Sequence, residues 1–199
     1  MSKYAIILLA AGSSSRFGSP KQLAQNNGRS FVAHAIIEAL KVTKEVIVVL
    51  GANHEVIKKE IEKFPIHIVW NEKWEEGMSS SIKKGMEILL QHETFPDAII
   101  IAVCDQPFLS SGIMNSLIEK YESGDRPIIA SAYNNVLGTP TLFNQSFFSA
   151  LMELKGQAGA KKIISENKAV VDTVSFPLGY VDIDTIEDFE QWKTYTKID

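Results

Sequence analysis

Short apolar runs rich in β-branched residues alternate along this chain with longer stretches of helical period, and this alternation constrains the fold more than any other feature. Ala5 to Leu9, Val46 to Leu50 and Ala98 to Val103 have the length and composition of buried strands. Phe31 to Val42 repeats its apolar residues every three or four positions, which predicts an amphipathic helix. Strands that alternate with helices form βαβ units, so we expect an α/β fold. The predicted architecture is a three-layer α/β/α sandwich around a mostly parallel, Rossmann-like sheet.

The alternation continues to the end of the chain. It predicts a helix from Met78 to Gln91 and a short strand from Thr141 to Phe143. An extended segment follows from Tyr180 to Ile183, and Thr185 is placed to cap a closing helix. Of the 199 residues, 45% are hydrophobic, which is ample for one buried core. We therefore expect a single domain over residues 1–199.

Charge and hydropathy exclude several classes of protein. The 20 basic residues against 24 acidic ones give a net charge of -4, so the chain lacks the basic surplus that binding to nucleic acid requires. No apolar run approaches the roughly 20 residues needed to span a bilayer, and the first run is too short for a secretory signal. We expect a cytoplasmic protein without a membrane or nucleic-acid partner. Cys104 is the only cysteine, and its place at the end of an apolar run favours a buried structural thiol over a nucleophile.

The loop after the first strand carries the strongest chemical signal. It reads LAAGSSSRFGSPK from Leu9 to Lys21 and combines small residues with two cations, Arg16 and Lys21. Small residues let backbone N–H groups approach a polyphosphate closely, and the cations can neutralise its oxygens. The residue order matches neither the P-loop nor the dinucleotide-binding glycine pattern, which disfavours P-loop enzymes and Rossmann dehydrogenases. A serine turn with incidental charges is the alternative.

Three aspartates are placed to reach the same sheet edge as this loop. Asp105 follows the strand predicted at the sheet centre, and Asp182 and Asp184 end the late extended segment. Transfer between phosphates requires that the charge of the α-phosphate be offset, and Mg²⁺ held by one or two carboxylates, phosphate oxygens and waters does this. We expect two aspartates to converge on such an ion. A turn or helix-capping role is the alternative for each of them.

A polar and aromatic segment precedes the predicted helix that begins at Met78. Ser79, Ser80 and Ser81 can present hydroxyls and free helix N–H groups to a base or ribose, or they can form an ordinary cap. Trp70 and Trp74 can stack on a ring, although packing is the more common role of such residues. The four histidines are scattered, and we assign none of them a role.

Together these motifs resemble the nucleotidyltransferase superfamily, most closely its molybdenum cofactor cytidylyltransferase branch. The glycine loop is similar to the L-A-A-G-x-S-x-R-x-G-x-x-K signature, and Asn71 to Ser81 match N-x-x-W-x-x-G-M-S-S-S. Cys104 to Pro107 and Val181 to Asp188 resemble the D-Q-P and D-I-D-T-P-E-D elements. Two positions depart from the pattern: Thr139 replaces the histidine of G-H-P, which leaves the acceptor open, and Ile186 stands where proline is common.

The resemblance implies the nucleotide-diphospho-sugar transferase type of fold and a magnesium-dependent nucleotidyltransferase domain. It implies CTP as the nucleotide, because Asn71 to Ser81 resemble the cytidylyltransferase run and guanylyltransferase relatives tend toward a second glycine in Ala10-Ala11-Gly12. It implies molybdopterin as the acceptor, with a recipient molybdoenzyme as a transient partner. Arg16, Lys21 and Asp105 are the implied catalytic residues. Magnesium is assigned to Asp105, with Asp182 as the first choice of second ligand and Asp184 next. The predicted nucleotide-binding residues are Leu9, Ala10, Ala11, Gly12, Ser13, Ser14, Arg16, Lys21, Asn71, Gly77, Ser79, Ser80, Ser81 and Asp105.

Two other functions remain open at this point. The first keeps the chemistry but changes a substrate, with a sugar phosphate or methylerythritol phosphate as the acceptor, or GTP in place of CTP. The second is a non-catalytic protein that binds a nucleotide and delivers a cofactor to a partner enzyme. Release of pyrophosphate separates the two classes.

Overall fold

The computed structural model describes residues 3–26, 28–91 and 95–195, so His92 lies outside the described residues. A seven-stranded sheet carries helices on both faces, which confirms the predicted α/β sandwich. The strands are β1 Tyr4–Ala10, β2 Gln25–Asn26, β3 Arg29–Ser30, β4 Val46–Leu50, β5 His67–Trp70, β6 Ala98–Val103, β7 Ile128–Tyr133, β8 Val136–Asn144 and β9 Val171–Ser175. The α-helices are α1 Phe31–Leu40, α2 His54–Ile61, α3 Met78–Leu89, α4 Ser111–Ser123, α5 Phe148–Met152, α6 Ala160–Glu166 and α7 Ile186–Tyr195.

The sheet order is β5-β4-β1-β6-β8-β7-β9, while β2 and β3 form a separate small hairpin. Only β8 runs antiparallel to its neighbours in the seven-stranded sheet, so the sheet is mostly parallel, as predicted. The chain builds outward from β1 through β4 to β5 and then returns to the other side of β1 to form β6. Open α/β sheets bind ligands at such a change of winding direction, beyond the carboxyl ends of the strands. The fold therefore directs attention to the loops that follow β1 and β6.

Strand β1 is buried on both of its faces, which explains its unbroken apolar sequence. Ile6 and Leu8 belong to the core that includes residues of α1 and α4, whereas Ile7 and Leu9 point into the core beneath α3. Helix α3 approaches the sheet closely at Gly85, where an added Cβ would lie 2.7 Å from Ile7 Cγ2. This packing fixes the strand from which the glycine loop emerges.

Two predicted strands need correction. Thr141 to Phe143 is part of the nine-residue strand β8, which continues because it pairs with both β6 and β7. Tyr180 to Ile183 is not a strand of the sheet, because its backbone bonds locally: Val181 N–H donates to Leu178 O at 3.2 Å. Ile183 N–H instead donates to Asp105 O at 3.1 Å. The apolar residues Val181 and Ile183 of this segment pack as part of a loop against the core, and the segment does not extend the sheet.

The predicted start of the closing helix is confirmed. Asp188 N–H donates to Thr185 Oγ1 at 3.1 Å, and Thr185 N–H donates to Asp188 Oδ2 at 2.8 Å. This reciprocal pair is a capping box, which satisfies N–H groups that a helix start leaves without partners. None of the helices in the described ranges combines the length and apolarity needed to cross a membrane.

Candidate active site

The loops after β1 and β6 meet at the carboxyl edge of the sheet and border a cleft of about 340 Å³. Paired strands bring them together, because Leu9 of β1 lies beside Val103 of β6 and Cys104 N–H donates to Leu9 O at 3.4 Å. The segment around Gly77 forms another wall. The residues that line the cleft are Leu9, Ala10, Ala11, Gly12, Ser13, Lys21, Gln22, Trp74, Glu75, Gly77, Met78, Ser81, Val103, Cys104, Asp105 and Gln157.

The predicted cations and carboxylates meet directly at one end of this cleft. Lys21 Nζ lies 2.8 Å from Asp105 Oδ2 and 2.6 Å from Asp184 Oδ1. The Arg16 guanidinium lies 2.7 Å from the other oxygen of Asp184. The Lys21 side chain is only 12% exposed, whereas that of Arg16 is 71% exposed. The structure thus links the glycine loop to two acidic loops through a largely buried ammonium group.

Protonation follows from these contacts. Burial acts to lower the pKa of Lys21, but the charges of and hydrogen bonds to Asp105 and Asp184 outweigh it, and the pKa is raised. The hydrogen bond from Lys21 lowers the pKa of Asp184. The pKa of Asp182 shifts in the opposite direction, because desolvation of its carboxyl group and the negative charges of Asp184 and Asp105 raise it. The residue as a whole is nevertheless exposed. At neutral pH the Lys21 ammonium and the Asp184 carboxylate are therefore charged.

Hydrogen bonds from the backbone and from a side-chain amide hold the loop that carries Asp105 against the segment that carries Asp184. The bond from Ile183 N–H to Asp105 O joins them directly. The buried amide of Gln106 donates to Gly179 O at 2.7 Å and to Thr139 O at 3.1 Å. Asp105 is therefore fixed relative to the segment that carries Asp184. The sequence predictions did not include Gln106, although a polar residue next to a site aspartate was the available signal.

The arrangement of oxygens suits a hard divalent cation that draws further ligands from a substrate. Within the described ranges, no group of three or more His, Cys, Asp and Glu residues is arranged to hold a metal ion by itself. Asp105 and Asp184 nevertheless place one carboxylate oxygen each within 2.8 Å of the same cationic nitrogen. Carboxylate oxygens are ligands that Mg²⁺ and Mn²⁺ prefer, and Mg²⁺ often takes only one or two of them, completing its shell with phosphates and waters. The donor set fits such an ion. Asp184 shares the contact with Lys21, and the choice between Asp182 and Asp184 as the second ligand stays a prediction.

The structure divides the predicted nucleotide-binding residues of the segment from Asn71 to Ser81 between two cavities. Gly77 and Ser81 line the cleft beside the glycine loop. Asn71, Ser79 and Ser80 instead line a separate cavity of about 480 Å³. Asn71 Nδ2 donates to Ser80 Oγ at 2.8 Å and to Ser81 Oγ at 3.0 Å, so these polar groups stabilise the turn into α3. A role of Asn71, Ser79 and Ser80 in nucleotide binding therefore stays a prediction, because these residues line a different cavity from the glycine loop.

Other residues of the glycine loop differ in what their side chains do. Ser13 lines the cleft, whereas Ser14 Oγ donates to Gln22 Oε1 at 3.1 Å inside the loop. Gln22 is almost fully buried and was missing from the sequence predictions. Its position directly after Lys21 was a signal that could have identified it.

The aromatic residues and the cysteine are also distinguished by their surroundings. Trp74 lines the cleft, whereas Trp70 stacks on His54 with ring centroids 4.2 Å apart. Glu75 and Gln157 are further cleft residues that no sequence motif indicated. Burial and the nearby charge of Asp105 raise the pKa of Cys104 to about 12, so the group is a protonated thiol at neutral pH. The prediction of a buried cysteine is confirmed.

An open α/β sheet with a glycine-rich loop, two cations and facing carboxylates at its carboxyl edge is typical of proteins that bind phosphorylated ligands. A model of the MobA-like NTP transferase domain matches residues 6–171, most of the chain. The chain therefore belongs to this family of nucleotidyltransferases.

Individual relatives carry different functional names. The nicotine blue oxidoreductase of Paenarthrobacter nicotinovorans is 31% identical, with 91% of this chain and 92% of that protein covered. A probable molybdenum cofactor guanylyltransferase of Bacillus cereus strain AH820 is 28% identical, with 96% of each chain covered. Among solved structures, the complex of Rv0371C from Mycobacterium tuberculosis with manganese has a TM-score of 0.77 at 20% identity, covering 94% of this chain and 96% of that chain. The last similarity shows a shared fold.

The Gly77 wall of the cleft yields a prediction about stability. Gly77 has a φ of +106°, and an added Cβ would lie 2.5 Å from Gly156 O. Gly77→Ala therefore strains the backbone and displaces the neighbouring loop, and we expect the free energy of unfolding to fall by about 1–3 kcal/mol. Urea denaturation measures the change.

Gly112→Ala is the matched control, because Gly112 lies in the first turn of α4 and its added Cβ would meet only Ser110 Oγ, at 3.7 Å. We expect this control to be as stable as the parent protein or slightly more stable. Equal stability of the two variants would contradict the close contact described for Gly77.

Proposed function

We propose that this protein transfers the nucleoside monophosphate part of a nucleoside triphosphate to a phosphate-bearing acceptor and releases pyrophosphate. The proposal rests on two contacts of Lys21 Nζ, with Asp105 Oδ2 at 2.8 Å and with Asp184 Oδ1 at 2.6 Å. These groups lie at the edge of a cleft that the glycine loop borders. Cations and carboxylates in one cleft suit a reaction that depends on positioning and charge neutralisation.

The chain's own residues have separable roles in this reaction. Gly12, Ser13 and their neighbours bind the triphosphate, while Arg16 and Lys21 neutralise the oxygens of the departing pyrophosphate. A phosphate oxygen of the acceptor forms the new bond to the α-phosphorus, and the bond from that phosphorus to the bridging oxygen of the β-phosphate breaks. The electron pair of that bond leaves with pyrophosphate, so no protein nucleophile is required. Cys104, a buried thiol, takes no part.

Asp105 and Asp184, with Asp182 nearby, would hold a divalent cation. Such an ion supplies positive charge to the α-phosphate during the transfer. Mg²⁺ is our choice of ion, and the manganese complex of a protein with the same fold supports a divalent metal. Lys21 then has to exchange its aspartate partners for phosphate oxygens when the nucleotide binds, which couples nucleotide binding to the release of the carboxylates.

CTP is the proposed nucleotide. Ala11 is buried in the cleft wall, and an added Cβ on Gly51 would lie 2.8 Å from the Ala11 methyl and 2.5 Å from Trp74 Cβ. Gly51 thus packs closely against both Ala11 and Trp74 at this wall of the cleft. The choice of CTP rests on the resemblance of Ala10-Ala11-Gly12 and of Asn71 to Ser81 to the cytidylyltransferase branch. GTP is the alternative, supported by the guanylyltransferase names of several relatives.

Molybdopterin is the proposed acceptor, with a recipient molybdoenzyme as a transient partner. The molybdenum cofactor names of relatives support this choice. A sugar phosphate or methylerythritol phosphate is the alternative, since Thr139 replaces a histidine and directs its carbonyl oxygen to Gln106. Because one relative is named as an oxidoreductase, family membership alone does not fix the reaction.

The direct test is incubation of the protein with each nucleoside triphosphate, Mg²⁺ and molybdopterin, with detection of pyrophosphate and the dinucleotide product. We expect both products with CTP, their loss on chelation of the metal and their recovery when Mg²⁺ is restored. A preference for GTP would change the assigned nucleotide but not the proposed reaction. Binding of CTP without pyrophosphate release, with molybdopterin and with the alternative acceptors, would favour the non-catalytic delivery function.

Lys21→Ala tests the role of the buried cation. We expect the rate of pyrophosphate release to fall by at least about 100-fold, which corresponds to about 2.7 kcal/mol of transition-state stabilisation. The matched control is Lys44→Ala, which removes an exposed lysine just before β4, at the opposite end of the strands from the cleft. Turnover by Lys21→Ala at the rate of the Lys44→Ala control would remove Lys21 from the reaction.

A further inference from the structure

Gln22 is a neutral, almost fully buried side chain at the end of the glycine loop, where it borders the cleft together with Ser13 and Lys21. It follows Lys21 in a short 3-10 helix, Lys21–Leu23, and is only 2% exposed. A buried amide must be hydrogen-bonded to be tolerated, and its partners therefore show what it does.

All the partners of the Gln22 amide belong to the glycine loop. Gln22 Nε2 donates to Gly12 O at 2.9 Å and to Ala10 O at 3.3 Å. Its Oε1 accepts from Ser14 Oγ at 3.1 Å. One side chain thus forms hydrogen bonds to three residues of the loop, which has no regular secondary structure between Ala11 and Ser14.

The Ala10 and Gly12 carbonyl groups, which accept hydrogen bonds from Gln22, determine the direction of the N–H groups that follow them in the loop. In a planar trans peptide, the C=O of one residue and the N–H of the next point in opposite directions. With the Ala10 and Gly12 carbonyls turned toward Gln22, the N–H groups of Ala11 and Ser13 point away from it. Ala11 and Ser13 are both residues of the cleft wall.

The same network reaches the base of the Lys21 side chain. Lys21 N–H donates to Ser14 Oγ at 3.1 Å, and that hydroxyl in turn donates to Gln22. Ser14 has a φ of +57°, in the left-handed region that a serine adopts only when its surroundings fix it. Phe17 N–H donates to Ser14 O at 2.9 Å and closes the turn. Gln22 is therefore connected to both the amides and the cation of the loop.

We propose that Gln22 is a positioning residue that orients the N–H groups of Ala11 and Ser13, and through Ser14 the Lys21 backbone, toward the phosphates of the nucleotide. This inference rests on the proposed function, because the polyphosphate is the ligand that these groups would bind. In this role the Gln22 amide, which is bonded to Ala10, Gly12 and Ser14, acts through the loop rather than on the reacting atoms. Its loss should affect the nucleotide side of the reaction and leave recognition of the acceptor unchanged.

Gln22→Met tests this by replacing the amide with an apolar chain of similar length, which leaves the two carbonyls without a donor. We expect kcat/KM for the nucleotide to fall by about tenfold or more, and KM for the acceptor to stay within about twofold. The matched control is Gln25→Met, the same change at an exposed residue three positions further along. We expect that control to have wild-type kinetics.

Gln22→Glu provides a second test, which also serves if Gln22→Met does not fold. The introduced carboxylate, when ionised, would repel the carbonyl oxygens of Ala10 and Gly12, whereas its protonated form can donate to one of them. Burial raises the pKa of such a carboxyl group. We therefore expect the ratio of variant to wild-type kcat/KM to rise at least threefold as the pH is lowered from about 8.5 to about 6.

The outcomes distinguish this inference from the proposed function. If the wild-type protein releases no pyrophosphate with any nucleotide and acceptor, the proposed function is wrong. If the wild-type protein is active, then Gln22→Met with unchanged kcat/KM for the nucleotide overturns the inference alone. A Gln22→Glu ratio that is constant with pH, with circular dichroism showing folded protein throughout, overturns it as well.

Discussion

The Lys21 ammonium lies between carboxylates of two loops that are far apart in sequence, and the candidate site depends on this contact. A charge as buried as that of Lys21 is costly unless opposite charges compensate it. Asp105 and Asp184 supply that compensation at 2.8 and 2.6 Å. The contact fixes the end of the glycine loop against the end of β6 and the segment before α7. Under the proposed function, a polyphosphate that enters the cleft would meet a cation that is already in position but has to change partners.

Neutral amides determine the geometry around these charges. Gln22 holds the interior of the glycine loop, and Gln106 joins the Asp105 loop to Gly179 and Thr139. An amide can donate to backbone carbonyls and accept a hydrogen bond without adding charge, so it stabilises irregular backbone at lower cost than a buried ion would. The charged groups thereby stay available for a ligand while uncharged groups maintain the loops.

The sequence predicted those features that depend on local pattern and on the shared edge of parallel strands. The sheet, the glycine loop and the approach of Arg16 and Lys21 to the acidic loops follow from these rules. It could not show that Asp184 and not Asp182 contacts Lys21, because the segment is a loop rather than a strand and its side chains do not follow strand alternation. It also could not show that the Asn71 amide bonds to Ser80 and Ser81, since a motif does not reveal which residues of a turn contact one another. Gln22 and Gln106 were missed for a related reason: their partners are backbone atoms that only the fold brings near.

The most direct measurement of the central claim is a double-mutant cycle on kcat/KM for the nucleotide, with Lys21→Ala, Asp105→Asn and the double variant. If both residues act on the same bound polyphosphate, each single change disables one shared unit. We then predict that the double variant loses about as much kcat/KM as the more damaged single variant. Losses that multiply in the double variant would contradict the claim, because they would show that the ammonium and the carboxylate act independently.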